Sequence, residues 1–239
     1  LGKIKSGQLT LEFLSLEPQL AKNPRNKTKP PLAVEPPSVE SPSAEPTTPP
    51  VNLSSDLHET AASQVHFPIV GIGASAGGLA AFEAFFAGMP PQEDPDMAFV
   101  LVQHLAPDHK SILSELVRRY TRMQVFEVED GMRVQINRAY IIPPNYDMAF
   151  LDGTLHLFEP VAPRGQRMPI DYLFQSLAKD QRELGIGIVL SGTGSDGTQG
   201  LHAIKAAGGM VIAQSAESSE FDGMPRNAIA TGLVDYQLA

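Results

Sequence analysis

Three short loops in this 239-residue chain carry side chains able to do acyl-transfer chemistry. In the first, the apolar run Ile69 to Ile72 passes through Gly73-Ala74-Ser75-Ala76-Gly77 and straight into a helix-like stretch, LAAFEAFF. This is G-x-S-x-G between strand and helix. Glycines on both sides let the backbone turn sharply enough to expose the hydroxyl, and the amide of Ala76, beside a helix N-terminus, can point at a developing oxyanion. Ser75 is therefore a candidate nucleophile. The same stretch also satisfies G-x-G-x-x-G/A through Gly71, Gly73 and Ala76, the phosphate-cradling loop of a dinucleotide fold, so a nicotinamide oxidoreductase is an alternative and a plain tight turn a third. A nicotinamide site wants an Asp or Glu about twenty residues on, at the end of the next strand. That strand ends instead in Gln103-His104.

The second loop follows AFVLVQ and begins with His104, which places an imidazole at the carboxyl end of a buried strand. In an open parallel sheet those ends form the ligand-binding edge, so His104 and Ser75 should share a rim. The other histidines are less well placed: His58 and His66 precede the first strand, His109 is in a loop, His156 in a hairpin and His202 on a helix. The third loop, SGTGSDGTQG, again joins a strand to a helix and carries Asp196 among Gly192, Gly194, Gly197 and Gly200. So many glycines imply close backbone approach and positive φ angles. Alone, Asp196 reads equally as a turn former or helix N-cap. Together the loops supply a nucleophile, a base and an orienting carboxylate.

The elements that must position them follow from the patterning. From Phe67 onward, short apolar runs alternate with helix-like segments and Gly-rich connections, the signature of an α/β domain on a parallel sheet. Strands are expected at 69–72, 98–103, 125–128, 139–142, 186–190, 210–213 and 233–236, and helices at 79–87, 111–120, 170–184, 199–207 and 225–231. The run MAFLDGTLHLF alternates around Asp152-Gly153 and predicts an antiparallel hairpin decorating the main sheet. The expected fold is three-layer, doubly wound α/β.

Composition narrows the function classes. There is no Cys and no Trp, which removes disulfides, thiolate metal sites and a cysteine nucleophile. A net charge of −9 is the wrong sign for a nucleic-acid partner. No apolar run approaches the ~18 residues of a membrane span and no signal peptide is recognisable, so the expected compartment is the cytoplasm without membrane insertion. Residues 1–64 hold ten of the 21 prolines and two of the 20 glycines, and read as a disordered Pro-rich tail or linker ahead of a catalytic domain at 65–239. Leu9, Leu11, Phe13, Leu14 and Leu16 form a short apolar cluster within it. Starting at Leu1 and ending at Ala239, the chain reads as a segment of a longer protein.

On these residues the sequence resembles the catalytic domain of the chemotaxis protein-glutamate methylesterases, the CheB type. GASAGG, QHLAPDH, EDGMRV, AYIIPP, SGTGSDGTQG and GMPRNAI stand in that family's order, and its Ser, His and Asp fall on Ser75, His104 and Asp196. The resemblance implies a serine esterase that needs no metal or organic cofactor. It would hydrolyse glutamate γ-methyl esters on chemoreceptor signalling helices, releasing methanol, and some members also deamidate glutamine. It further implies an oxyanion hole from the backbone of Ala76 and Thr193, where family members often have Thr and Met. Arg164, Arg167, Met224 and Arg226 lie in segments expected to line the substrate cleft. The phosphoreceiver domain that commonly precedes the esterase is not matched by residues 1–64. The GIGASAGGLAAFEAFF variant is similar to hybrids in which the esterase is joined to a receptor methyltransferase, which makes a fused or separate methyltransferase an expected partner. A catalytically idle receptor-binding or sensory module is the alternative from another class.

Overall fold

A computed structural model describes residues 66–90, 94–104, 112–163 and 165–239. The Pro-rich segment 1–64, with its apolar cluster and His58, lies outside them, as do His109 and Arg164.

Seven strands form one wholly parallel sheet. They are β1 (Ile69–Ala74), β2 (Ala98–Gln103), β3 (Gln124–Glu127), β5 (Arg138–Ile141), β8 (Gly185–Val189), β9 (Met210–Gln214) and β10 (Tyr236–Leu238), in the order β10-β9-β8-β1-β2-β5-β3. Six begin and end within one or two residues of expectation. The last starts at Tyr236, because GLVD turns ahead of it and Asp235 N–H bonds back to Val211 O.

Helices α1 (Gly78–Ala87) and α2 (Ile112–Tyr120) cover one face of this sheet, where Val70, Ile72, Phe99 and Leu101 pack with Phe82, Phe86, Leu113 and Val117. Helices α3 (Pro169–Gln181), α4 (Thr198–Ala206) and α5 (Gly223–Ala230) cover the other. There Ile69, Val100 and Val102 meet Ile170, Phe174, Leu177, Leu201 and Ile204. Successive residues of a strand point to opposite faces, so each central strand serves both cores and reads as an unbroken apolar run.

The expected hairpin is β6 (Asp147–Leu151) and β7 (Thr154–Phe158), turning at Asp152-Gly153, both with positive φ. It does not extend the main sheet. With β4 (Met132–Arg133) it makes a separate antiparallel sheet, β4-β7-β6, whose β6 packs on α3. Among the described residues no helix is long and apolar enough to cross a membrane.

The chain leaves β1 toward β2, β3 and β5, then crosses back through α3 to β8 on the other side of β1. The junction of β1 and β8 is thus the point where the strand order reverses. Crevices form there at the carboxyl ends of the strands, because the flanking connections diverge to opposite faces.

Candidate active site

Ser75 follows β1, His104 follows β2 and Asp196 is in the loop after β8, three strands that are neighbours in the sheet. The turn at Ser75 is pinned on both sides. Its amide donates to Ser191 O (3.0 Å), and the His104 amide donates to Ala74 O (3.3 Å). Gly77 caps α1 in the left-handed region, φ 70°, and a Cβ there would lie 2.7 Å from Ser191 Oγ, so only glycine suits the elbow. A Cβ on Gly192 would sit 3.0 Å from the Ser75 Cβ and 2.2 Å from Met224 Sδ, which is why the third loop can close so tightly over the serine.

Ser75 Oγ lies 3.5 Å from His104 Nδ1, and His104 Nε2 lies 2.7 Å from Asp196 Oδ2. The serine contact is long, as such contacts commonly are before substrate draws them together. The His104 side chain is one-third exposed, whereas that of Asp196 is 4% exposed. With Nε2 donating to the carboxylate, Nδ1 faces the hydroxyl as an acceptor. A hydroxyl, an imidazole and a buried carboxylate in this sequence can move a proton off the serine and hold the resulting imidazolium charge.

Asp196 is more than a turn former. Its Oδ1 accepts the amides of Asp171 (2.9 Å) and Gly197 (2.8 Å), and its Oδ2 that of Ile170 (3.1 Å) besides the imidazole. Helix α3 has no side-chain cap of its own at Met168, and Pro169 supplies no donor at its first position. Asp196 therefore caps α3 from across the site, an arrangement favoured by the positive end of the helix dipole. Gly197, not Asp196, stands at the N-cap of the helix that Asp196 precedes, α4, so the cap that Asp196 makes is on α3 and not where the sequence reading put it.

The amides of Ala76 and Thr193 have no acceptor among the described residues, and both belong to loops flanking Ser75. Of the expected cleft residues, Met224 is fully buried under Gly192 and supports the loop from behind; its side chain cannot line a cleft. Arg226 is exposed and paired with Asp222, the residue at the N-cap of α5. Arg167 Nε donates to Ala162 O, and its charge acts on Asp147. Among the described residues no group of three or more His, Asp or Glu is placed to hold a metal.

Four residues that sequence reasoning passed over lie about the site, and three of them hold it through hydrogen bonds. Ser191 Oγ donates to Ala76 O (2.9 Å) and accepts the Phe221 amide (3.0 Å), while its own amide donates to Gln214 Oε1 (2.8 Å). Asn227 Nδ2 donates to Gly194 O (2.7 Å) and steadies the glycine loop. Asp171, buried in the first turn of α3, accepts the Gly200 amide (2.6 Å). Asp147, at the start of β6, has a buried Oδ1 without a hydrogen-bond partner among the described residues. Burial raises its carboxyl above the usual range, Arg167 and His104 oppose that, and Asp196 adds to it. The Asp-Met of PNYDMAF is the one sequence signal for Asp147, and it is indistinguishable from an ordinary strand start. The dinucleotide alternative finds no support, since Gly71 lies mid-strand with the Phe174 ring where its Cβ would be.

Comparison with known proteins agrees with this architecture. A protein-glutamate methylesterase/protein-glutamine glutaminase of Yersinia pestis is 34% identical over 178 residues, 70% of this chain and 48% of its own. The protein of the same name in Pyrococcus horikoshii is 34% identical over 174 residues, 70% of this chain and 46% of its own. An uncharacterized 104.1 kDa protein in the hypE 3' region of Rhodobacter capsulatus is 44% identical over 126 residues, 53% of this chain and 13% of its own length. The chain thus spans about half the length of the methylesterase relatives and far less of the Rhodobacter protein. The crystal structure of the Thermotoga maritima CheB methylesterase catalytic domain superposes with a TM-score of 0.66 at 29% identity, covering 73% of this chain and 93% of that one. The profile of the CheB methylesterases matches residues 70–239, from the first strand to the last residue, and the chain belongs to the CheB methylesterase family.

Proposed function

We propose that this domain hydrolyses the γ-methyl esters of glutamates on chemoreceptor signalling helices, with Ser75 as nucleophile, His104 as base and Asp196 as the group that orients it. The observation that carries this reading is the Ser75–His104–Asp196 alignment across three adjacent strand ends, closed by the 2.7 Å imidazole–carboxylate contact. Ser75 Oγ attacks the ester carbonyl as His104 Nδ1 takes its proton. The amides of Ala76 and Thr193 receive the oxyanion. The imidazolium then returns the proton to the departing methoxide, and methanol leaves. Water enters by the same route in reverse, and its attack on the glutamyl ester regenerates Ser75 and releases glutamate.

Asp196 keeps Nε2 protonated and balances the charge on the ring. No step calls for a metal or an organic cofactor. Arg167, beside the site, and Arg164, outside the described residues, are the cations offered to an acidic receptor helix. Exposed Phe158, Met168 and Tyr172, at the adjoining hairpin and α3 start, give such a helix an apolar surface to pack on. The enzyme that must supply the substrate is a glutamate methyltransferase, fused to this domain or separate, on the cytoplasmic side where receptor signalling helices lie.

The test is direct. Incubated with methylated receptor fragments, the purified chain should release methanol, and a serine-directed phosphonate should label Ser75 and stop it. A folded protein that binds the fragments but releases no methanol would instead be an idle binding module.

A further inference from the structure

Asp171 is a buried acid that the reaction as described does not use. It is 6% exposed, and its Oδ1 holds the Gly200 amide at 2.6 Å. Gly200 is the third residue of α4, so a carboxyl from the first turn of α3 caps the first turn of α4. The reverse contact runs through Asp196, just ahead of α4, which takes the Ile170 and Asp171 amides of α3. Two helix N-termini face each other, and each holds a carboxylate from the other's segment. Of the two carboxylates, Asp196 also reaches His104.

We infer that Asp171 is a positioning residue for the His104–Asp196 pair, and that its ionised carboxyl strengthens the hold of that pair on the imidazolium formed during the reaction. The reaction itself is the one proposed above; the contacts do not depend on it. Four donors converge on Asp196, and by themselves they draw its negative charge toward the helix ends and away from the ring. A second anion among the same amides shares that positive field. Its repulsion of Asp196 is relieved when a cation forms at His104, because the interaction is electrostatic and the surroundings are dry. The bond to Gly200 also fixes α3 against α4, which keeps Oδ2 of Asp196 aimed at Nε2.

The other charged groups on elements packed against α3 are Asp147 on β6, His202 and Lys205 on α4, and Arg182 and Glu183 in the turn after α3; strands β1, β2 and β8 carry none, with His104 following β2. The charge that acts on Asp171 is that of Asp196. Burial, opposed by the Gly200 amide and reinforced by Asp196, pushes the Asp171 carboxyl up to about 6. It is therefore mostly neutral at pH 5 and ionised above pH 7, which gives its removal a pH signature that a purely structural role lacks.

The experiment compares the full chain with Asp171→Asn, which keeps an acceptor for Gly200 and loses the charge. With p-nitrophenyl acetate as substrate, kcat/KM of the variant should match the unaltered chain within about twofold at pH 5 and fall about tenfold below it above pH 7, the ratio bending near pH 6. A ratio constant across pH, or no loss at any pH, overturns the inference. A second measurement needs neither turnover nor the variant. In NMR titrations of the unaltered chain, the His104 ring resonances should show an inflection shared with the Gly200 amide. Titration of Gly200 without a response at His104 overturns the inference even if the esterase reading stands. A shared inflection in a chain without esterase activity would support it while the esterase reading fails.

Discussion

Asp196 accepts four hydrogen bonds at once, three from backbone amides and one from the imidazole, and this sets what its replacement should do. Asp196→Asn retains one acceptor oxygen but offers an amide donor toward Nε2, which forces the wrong imidazole tautomer; turnover should fall by up to about 10⁴-fold. Because the same side chain caps α3, some loss of stability should accompany it, on the order of 1 kcal/mol. Chemical denaturation read beside kcat separates the two effects, and activity lost only in step with stability would reduce Asp196 to a cap. Ser75 makes no comparable structural bond through its hydroxyl. Ser75→Ala should leave the melting temperature nearly unchanged and lower ester hydrolysis by roughly 10⁴ to 10⁶-fold. Near-normal methanol release from that variant would remove Ser75 from the mechanism.

At the scale of elements, the site depends on how closely α3 approaches β1. A Cβ on Gly73 would lie 2.3 Å from Ile170 Cγ2, so the glycine is what lets the first turn of α3 settle against the strand that carries Ser75. Ile170 and Asp171 bring their amides to Asp196 from that same turn. Gly73→Ala should therefore cost about 1 to 3 kcal/mol of stability through overpacking. It should also lower kcat at temperatures where the variant is still folded, because α3 is displaced from the carboxylate. Equilibrium denaturation together with kinetics at 10 °C tests this. A variant destabilised but fully active when folded would show that α3 tolerates the shift.

For the molecule as a whole, the question is what the Pro-rich residues 1–64 do to a site built wholly from residues beyond them. Within that segment, Pro30 to Pro50 holds eight prolines and only Leu32, Val34 and Val39 as larger apolar residues, which leaves little area with which to offset the entropy of ordering. Removal of residues 1–60 should accordingly change kcat/KM by less than about threefold, roughly 0.65 kcal/mol. Acetyl phosphate should leave the activity of this chain unchanged, since 64 residues are too few for the ~100 to 130 residues of a phosphoreceiver fold. Kinetics on the two lengths, with and without the phosphodonor, check both points. A tenfold rise on truncation would reveal an inhibitory tail, and activation by the donor a receiver function.

The sequence by itself determined most of the elements and the order of the candidate site residues. Unbroken apolar runs of four to six residues between turn signals read as strands covered on both faces, and glycine-rich joints after two of them, with an imidazole at the end of a third, are why Ser75, Asp196 and His104 could be singled out from the sequence. Which loops meet was decided by tertiary packing. Asp171 bonds to Gly200 across 29 residues and Ser191 to Ala76 across 115, pairings with no periodicity to betray them. Strand β4 is two residues long, too short to show alternation, so the hairpin's separation into its own sheet was invisible. Met224 reads the same whether it faces a cleft or a core, and only the approach of α5 beneath Gly192 made it core. Local pattern fixes an element's type and its buried face, because those depend on near neighbours along the chain. The second carboxylate at the helix ends and the support beneath the serine exist only once α3, α4 and the strand ends converge.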